Sequence, residues 1–235
     1  KRFDIDFNGK RNLYIVLGLL GDFDSIEYTQ CLVPYLDKLS KSNIQLIVVG
    51  IGNNDSKEYF CNYTKLPESY LTLTEDLDIH NQLKLSKGLC LPINPVLNLM
   101  LMCMGINSPG TLKEVLRGYV GDNTASNIFD KEEKIYFTNN IAFKASMFNT
   151  FGHENALRPF ELASLRLKNM IEVLGNWNIY MPNHNYLTQR GGTFFVDENN
   201  QLLFSYYNKA LLGFSKTMSK PLDYLDNLIK DLNSL

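Results

Sequence analysis

Residues 12–36 read NLYIVLGLLGDFDSIEYTQCLVPYL. The apolar run 13–20 has the length and continuity of a buried strand, and it stops at the turn pair Gly21-Asp22. After the turn the apolar residues fall at helical spacing. Tyr28, Cys31, Leu32, Tyr35, Leu36 and Leu39 share one face of a helix over 24–41, and Pro34 inside it predicts a kink, because proline has no N–H and crowds the preceding turn. Asp24 at the start of the helix and Glu27 three residues later predict a capping box. The opening question is whether Cys31, two turns into this helix, does chemistry.

NIQLIVVGIG (43–52) is a second buried strand. DSKEYFCNYTKL predicts a short helix with Asp55 as N-cap and Pro67 beyond its end. YLTLTED is a third strand, and LDIHNQLKLSKG a short helix closed by Gly88. Far along the chain, GGTFFVDENNQLLFSYYN is a hairpin, with Phe194–Asp197 and Leu202–Tyr207 flanking a Glu-Asn-Asn turn. A last helix, PLDYLDNLIKDL, sets Leu222, Leu225, Leu228, Ile229 and Leu232 on one side. A β-α-β unit, a connecting helix, an antiparallel hairpin and a closing helix make a thioredoxin-like α/β fold, a central mixed sheet flanked by helices.

That fold does not need the segment before the hairpin. Residues 1–90 read as the N-terminal part of the thioredoxin-like domain, 91–189 as a large, mostly helical insertion, and 190–235 as the hairpin and helix that complete the domain. The insertion holds NPVLNLMLMCMGI, then SPGTLKEVLRGYVGD, then RPFELASLRLKNMIEVLGNW, in which Leu162, Leu165, Ile171 and Leu174 repeat along a helix.

Composition excludes several functions. With 23 basic and 25 acidic residues in 235, no net field attracts nucleic acid or acidic lipid. No stretch reaches the roughly 18 apolar residues of a membrane helix. Four scattered cysteines make no disulfide framework and no C-x-x-C pair, so reduced thiols are expected. The sequons at Asn54 and Asn62 are chance matches in an Asn-rich chain. His80, His153 and His184 share no ligand spacing, and no phosphate or dinucleotide fingerprint occurs, so no metal and no cofactor is expected. The chain starts at Lys1, which leaves room for a targeting segment ahead of it.

In a thiol redox site on this fold, the nucleophile stands at the N-terminus of the first helix, where free N–H groups and the helix dipole lower its pKa. Here that turn is Asp24-Ser25-Ile26-Glu27, and its carboxylates oppose a thiolate. Cys31 is read as a small buried hydrophobe. Cys61, on a short helix, and Cys90, in a loop, are the remaining thiol candidates; loops carry function more often than packed elements. Cys103 lies in a run with Met100, Met102 and Met104 that is either core or an adaptable docking surface. Arg190, just ahead of the GGTFFVD strand, binds an anion or peroxide oxygen, or pairs with Asp22 or Asp24.

The phrases LYIVLGLLGDFDS, IQLIVVGIG, YFCNYTKLP and TQRGGTFFVD resemble the peroxiredoxin-like (AhpC/TSA-type) branch of the thioredoxin superfamily. GLCLPINPVLNLMLMCMGINSPGTLKEVLRGYVGD and LRPFELASLRLKNMIEVLGNW are similar to the insertion of its cyanobacterial and chloroplast members. The resemblance implies an antioxidant protein of a photosynthetic cell, in the chloroplast stroma or a cyanobacterial cytoplasm and peripheral to thylakoid complexes. It matches Arg190 to the arginine that helps bind peroxide, and Thr193 to the place of the thioredoxin cis-proline. It sets the peroxidatic cysteine near Ser25 or Ile26, where this chain has none. Two expectations follow. One is a binding or assembly component whose Met-rich insertion meets a protein partner such as a photosynthetic complex. The other is an unconventional thiol oxidoreductase or peroxidase using Cys90 or Cys61 with Arg190. A third, a small-molecule pocket between insertion and sheet beside Arg190, is left open.

Overall fold

The computed structural model describes residues 10–138, 140–151 and 157–233. Strands β1 (Arg11–Leu19), β2 (Ile44–Ile51) and β3 (Leu71–Thr74) run parallel. Strands β6 (Gly192–Val196) and β7 (Leu202–Tyr207) add to the other side of β1 as an antiparallel hairpin. The sheet order is β3-β2-β1-β6-β7. β1 is the central strand, and Leu13, Ile15, Leu17 and Leu19 along it are buried. The continuous apolar runs of β1 and β2 follow from burial on both faces, as parallel strands require.

Helix α1 (Phe23–Leu32) is followed by a 3₁₀ turn at Val33–Tyr35 and then α2 (Leu36–Lys41). The break falls at Pro34, as its missing N–H demands. Tyr28, Leu32 and Leu39 are buried, and Cys31, Tyr35 and Leu36 pack against the same core. Helix α3 (Asn54–Thr64) corrects one expectation: its N-cap is Asn53, not Asp55. Asn53 and Ser56 exchange side-chain and backbone hydrogen bonds in a capping box. Helix α4 (Asp78–Gln82) is shorter than the pattern implied and ends before Lys84, whose φ is +54°. Last comes α9 (Asp223–Asn233), which presents Leu225 and Ile229 to the core, with Leu222 buried just ahead of it.

Between α4 and β6 lie α5 (Pro95–Cys103), α6 (Thr111–Val120), α7 (Glu161–Gly175) and α8 (Trp177–Tyr180). A two-stranded hairpin, β4 (Lys134–Thr138) with β5 (Ile141–Lys144), separates α6 from α7 and adds strand to a segment expected to be mostly helix. The hairpin has a small core of its own, in which Ile135 and Ala145 pack with Phe129 and Phe148. Helix α7 lies on α1 through polar groups. Arg166 grips Glu27 with two hydrogen bonds (2.7 and 2.9 Å), and the amides of Gln30 and Asn169 bond reciprocally at 3.0 Å. Among the described residues no helix is long and apolar enough to cross a membrane.

Candidate functional site

The turn after β1 and the start of β6 meet at the N-terminus of α1. Gly191 permits the approach: a Cβ there would stand 2.1 Å from the Val16 carbonyl oxygen. This brings Arg190, with no exposed surface, against the first turn of α1. Its Nη1 lies 2.9 Å from Asp22 Oδ2 and 3.2 Å from Asp24 Oδ2. Nε donates to the Thr188 carbonyl at 2.9 Å and Nη2 to the Leu187 carbonyl at 3.2 Å. Three of these four contacts are hydrogen bonds, one from each nitrogen of the guanidinium, and the contact with Asp22 is an ion pair.

The acids therefore do not cap the helix as expected. Asp22, not Asp24, is the N-cap residue, and its carboxylate makes no capping hydrogen bond. The buried cation draws it instead, since an unpaired buried charge is far costlier than an unmade cap. Asp24 accepts from Arg190, from Asn208 Nδ2 at 2.7 Å and from the Leu212 N–H. Leu212 holds φ = +55°, a conformation that costs a branched side chain energy and persists only where surroundings fix it. Glu27 turns away to Arg166. Burial, then the neighbouring Asp22 charge, pushes Asp24 up to about 7. Burial also raises Asp22, against the pull of Arg190.

Beside the ion cluster, a cavity of about 20 Å³ is lined by Asp24, Ser25, Tyr28, Thr193, Asn208 and Phe214, among others. That volume suits one water. Ser25 is buried and, among the described residues, its hydroxyl has no hydrogen-bond partner. Tyr28 Oη and Thr193 Oγ1 close one wall with a 2.8 Å hydrogen bond, and the Tyr28 ring stacks on Phe214 at 4.7 Å. Burial pushes the Tyr28 hydroxyl up to about 12. Thr193 is a ladder residue of β6, opposite Ile15.

The four cysteines are unpaired. Cys31 sits on the core-facing side of α1, and burial, with Glu27 second, pushes its thiol up to about 12. Cys61 is buried on α3 and its thiol is pushed up to about 11, again chiefly by burial. Cys90 is exposed in the loop ahead of α5, its Sγ 3.5 Å from the Lys87 carbonyl oxygen. Cys103, read above as core or docking surface, is exposed at the end of α5. Desolvation raises its thiol, and it also feels Asp22, Arg190 and Asp24. Nothing in the sequence around Asn208 signalled its bond to Asp24. Arg190 and the α1 acids were visible in the sequence; Cys90 and Cys61 are not among the groups gathered there. Among the described residues no cluster of His, Cys, Asp and Glu could hold a metal ion.

The sheet order, the crossover through α1 and the site at its N-terminus define a thioredoxin-like protein. The chain belongs to the AhpC/TSA antioxidant enzyme family, whose profile matches residues 32–210. The match begins at the last residue of α1, so Asp22, Asp24 and Ser25 lie ahead of it, whereas Arg190 and Asn208 lie within it. No curated protein and no solved structure matched the chain.

Proposed function

We propose that this chain is a peroxiredoxin-like protein that has lost the usual peroxidatic cysteine and acts as a binding or assembly component. The observation that carries the reading is the occupied state of Arg190. A guanidinium that polarises a peroxide needs free donors facing a thiolate. Here it is closed from solvent and committed to Asp22 and Asp24, beside Ser25 rather than a thiol. Two carboxylates at that helix end would also disfavour a thiolate placed there. The insertion supplies the binding half of the reading, because Met100 on α5 and Met104 just past its end stand more than half exposed. The likeness of its phrases to cyanobacterial and chloroplast proteins favours a photosynthetic cell, in the stroma or cyanobacterial cytoplasm, with a photosynthetic complex as partner.

The alternative, thiol chemistry at Cys90, has the exposure of that residue in its favour. Peroxide consumption with dithiothreitol as reductant separates the two, using the wild type and the Cys61→Ser and Cys90→Ser variants. The reading expects no turnover above buffer. Turnover that disappears in Cys90→Ser, with a dimedone adduct on that cysteine, would establish the peroxidase instead.

A further inference from the structure

Helix α6 is built inside out. All its polar residues but Lys113 face the protein: Thr111 is buried and donates to the Leu211 carbonyl at 2.9 Å, and Glu114 and Arg117 pair at 2.8 Å. Arg117 reaches on to Asp122. Gly118, also buried, faces Ala163 of α7. The apolar residues face outward, with Leu112, Leu116, Tyr119 and Val120 between 53 and 63% exposed. Helix α5 repeats the inversion only in part: it buries Met102 in a small apolar cluster together with Asn98, whose amide bonds both backbone groups of Leu91, and it exposes Leu97 and Met100. A surface helix ordinarily does the reverse.

The outward residues form a connected surface. Leu112 lies against Gly105, next to the exposed Met104, and the Tyr119 ring meets the exposed Phe160 edge-on at 6.1 Å. At 150–250 Å² for a large side chain fully exposed, Met104, Leu112, Leu116, Tyr119, Val120 and Phe160 present roughly 600 Å². That is the upper end of what a lone soluble protein leaves uncovered, and approaches one partner's share of a standard interface, about 800 Å².

We propose that a second copy of this chain covers the α5–α6 face, giving a twofold dimer in which α6 packs against its own copy. Leu112, Leu116 and Val120 form one i, i+4 row, with Leu116 midway. A twofold axis beside Leu116 lets the i, i+4 ridge of each copy seat in the groove of the other, the commonest helix contact. Residues 88–112 carry no charged side chain, Glu114 and Arg117 of α6 pair with each other, and the axis sets Lys113 opposite Tyr119 of the second copy, so self-contact brings no like charges together. Apolar, charge-depleted composition is the character of homodimer interfaces. A lipid-binding face would need a rim of Lys and Arg, whereas Lys113 is the one exposed cation on α6. The proposal rests on the reading of the insertion as a binding surface, with a second copy as the occupant of the α5–α6 face and any further partner meeting the assembled dimer elsewhere. It is indifferent to whether any cysteine turns over peroxide.

Sedimentation equilibrium on the purified full chain tests it. The expected result is reversible dimer at twice the chain mass. Leu116→Lys sets two ammonium groups together at the axis and is expected to weaken association at least about a hundredfold, some 2.7 kcal/mol. Leu116 is exposed, so the variant keeps its far-UV spectrum and monomer fold. The control Leu203→Lys, on the β7 edge, dimerises as the wild type does. A wild type still monomeric at about 100 µM, where even weak self-association registers, overturns the proposal. So does a Leu116→Lys variant as dimeric as the wild type, or a monomer that floats with phosphatidylcholine vesicles. The peroxide assay is unaffected by any of these outcomes, so failure of the dimer and failure of the proposed function are read separately.

Discussion

Arg190 Nη1 stands 2.9 Å from Asp22 Oδ2 with both residues buried, and it shares its charge with Asp24. Removing the cation leaves two carboxylates facing one another without water. Arg190→Met is therefore expected to destabilise by about 3–5 kcal/mol, read from urea unfolding. The triple variant Arg190→Met/Asp22→Asn/Asp24→Asn should recover part of that loss. A single variant as stable as the wild type would show that the pair contributes nothing.

The same cluster gives a pH signature. Burial pushes Asp24 up to about 7 in the folded protein, against 3.8 for a free carboxyl. Between about pH 4 and 7 the folded state holds a proton that the unfolded chain has released. Stability from this group is complete below the unfolded value and declines as pH rises through that window, by up to about 1.4 kcal/mol per unit. Asp24→Asn should flatten that limb in melts taken across pH.

His80 works in the opposite sense. It is buried, its Nε2 lies 2.7 Å from the Leu17 carbonyl oxygen, and burial holds its pKa below 6.5. The neutral ring is favoured by folding, so its contribution is present above pH 6.5 and is lost as pH falls through the folded value. In His80→Gln the acid limb of the stability profile should be shallower; an unchanged limb would assign acid unfolding to other groups.

The thiols should divide by accessibility. In the native protein at pH 8, iodoacetamide is expected to label Cys90 and Cys103 and to leave Cys31 and Cys61 unmodified until denaturant is added. Mass spectrometry of the digest reads this directly. Rapid native labelling of Cys31 would place it outside the core.

At the α7–α1 contact, Arg166→Ala strips Glu27 of its bidentate partner inside the protein. The expected cost is about 3–5 kcal/mol. Arg166→Lys, which cannot make the paired contact, should retain only part of it. Equal losses in the two variants would assign the effect to packing alone.

Much of the fold is legible in the sequence because its strands are buried on both faces. LYIVLGLL and IQLIVVGI carry no competing period, and Pro34 marks the break between α1 and α2. The hairpin KIYFTNNIAFK was harder to read: its strands are short, and both contain outward-facing apolar residues, Tyr136 and Ile141. Periodicity misleads most at α6 and α7. It finds an apolar face but not which way the face points, and Leu116 and Leu174 look outward. At the site, the acids were visible as acids, and their acceptance by Arg190 was one of the two readings of that residue. The bonds to Asn208 and Leu212 had no local sign, because they come from a loop at the far end of the chain.

That distance has a consequence for how the molecule is made. Asp24 reaches Arg190 across 166 positions, Asn208 across 184 and Leu212 across 188. Contacts of such separation form after local ones, since the loop they close is long. On the ribosome, the first helix emerges with two aspartates whose cation and amide partners have yet to be synthesised. The N-terminal β-α-β unit must therefore wait, with that helix end hydrated, until the last strand pair arrives to seal it. Chains truncated ahead of residue 190 should lack a settled first helix, and loss of the final elements should be felt at the opposite end of the sequence.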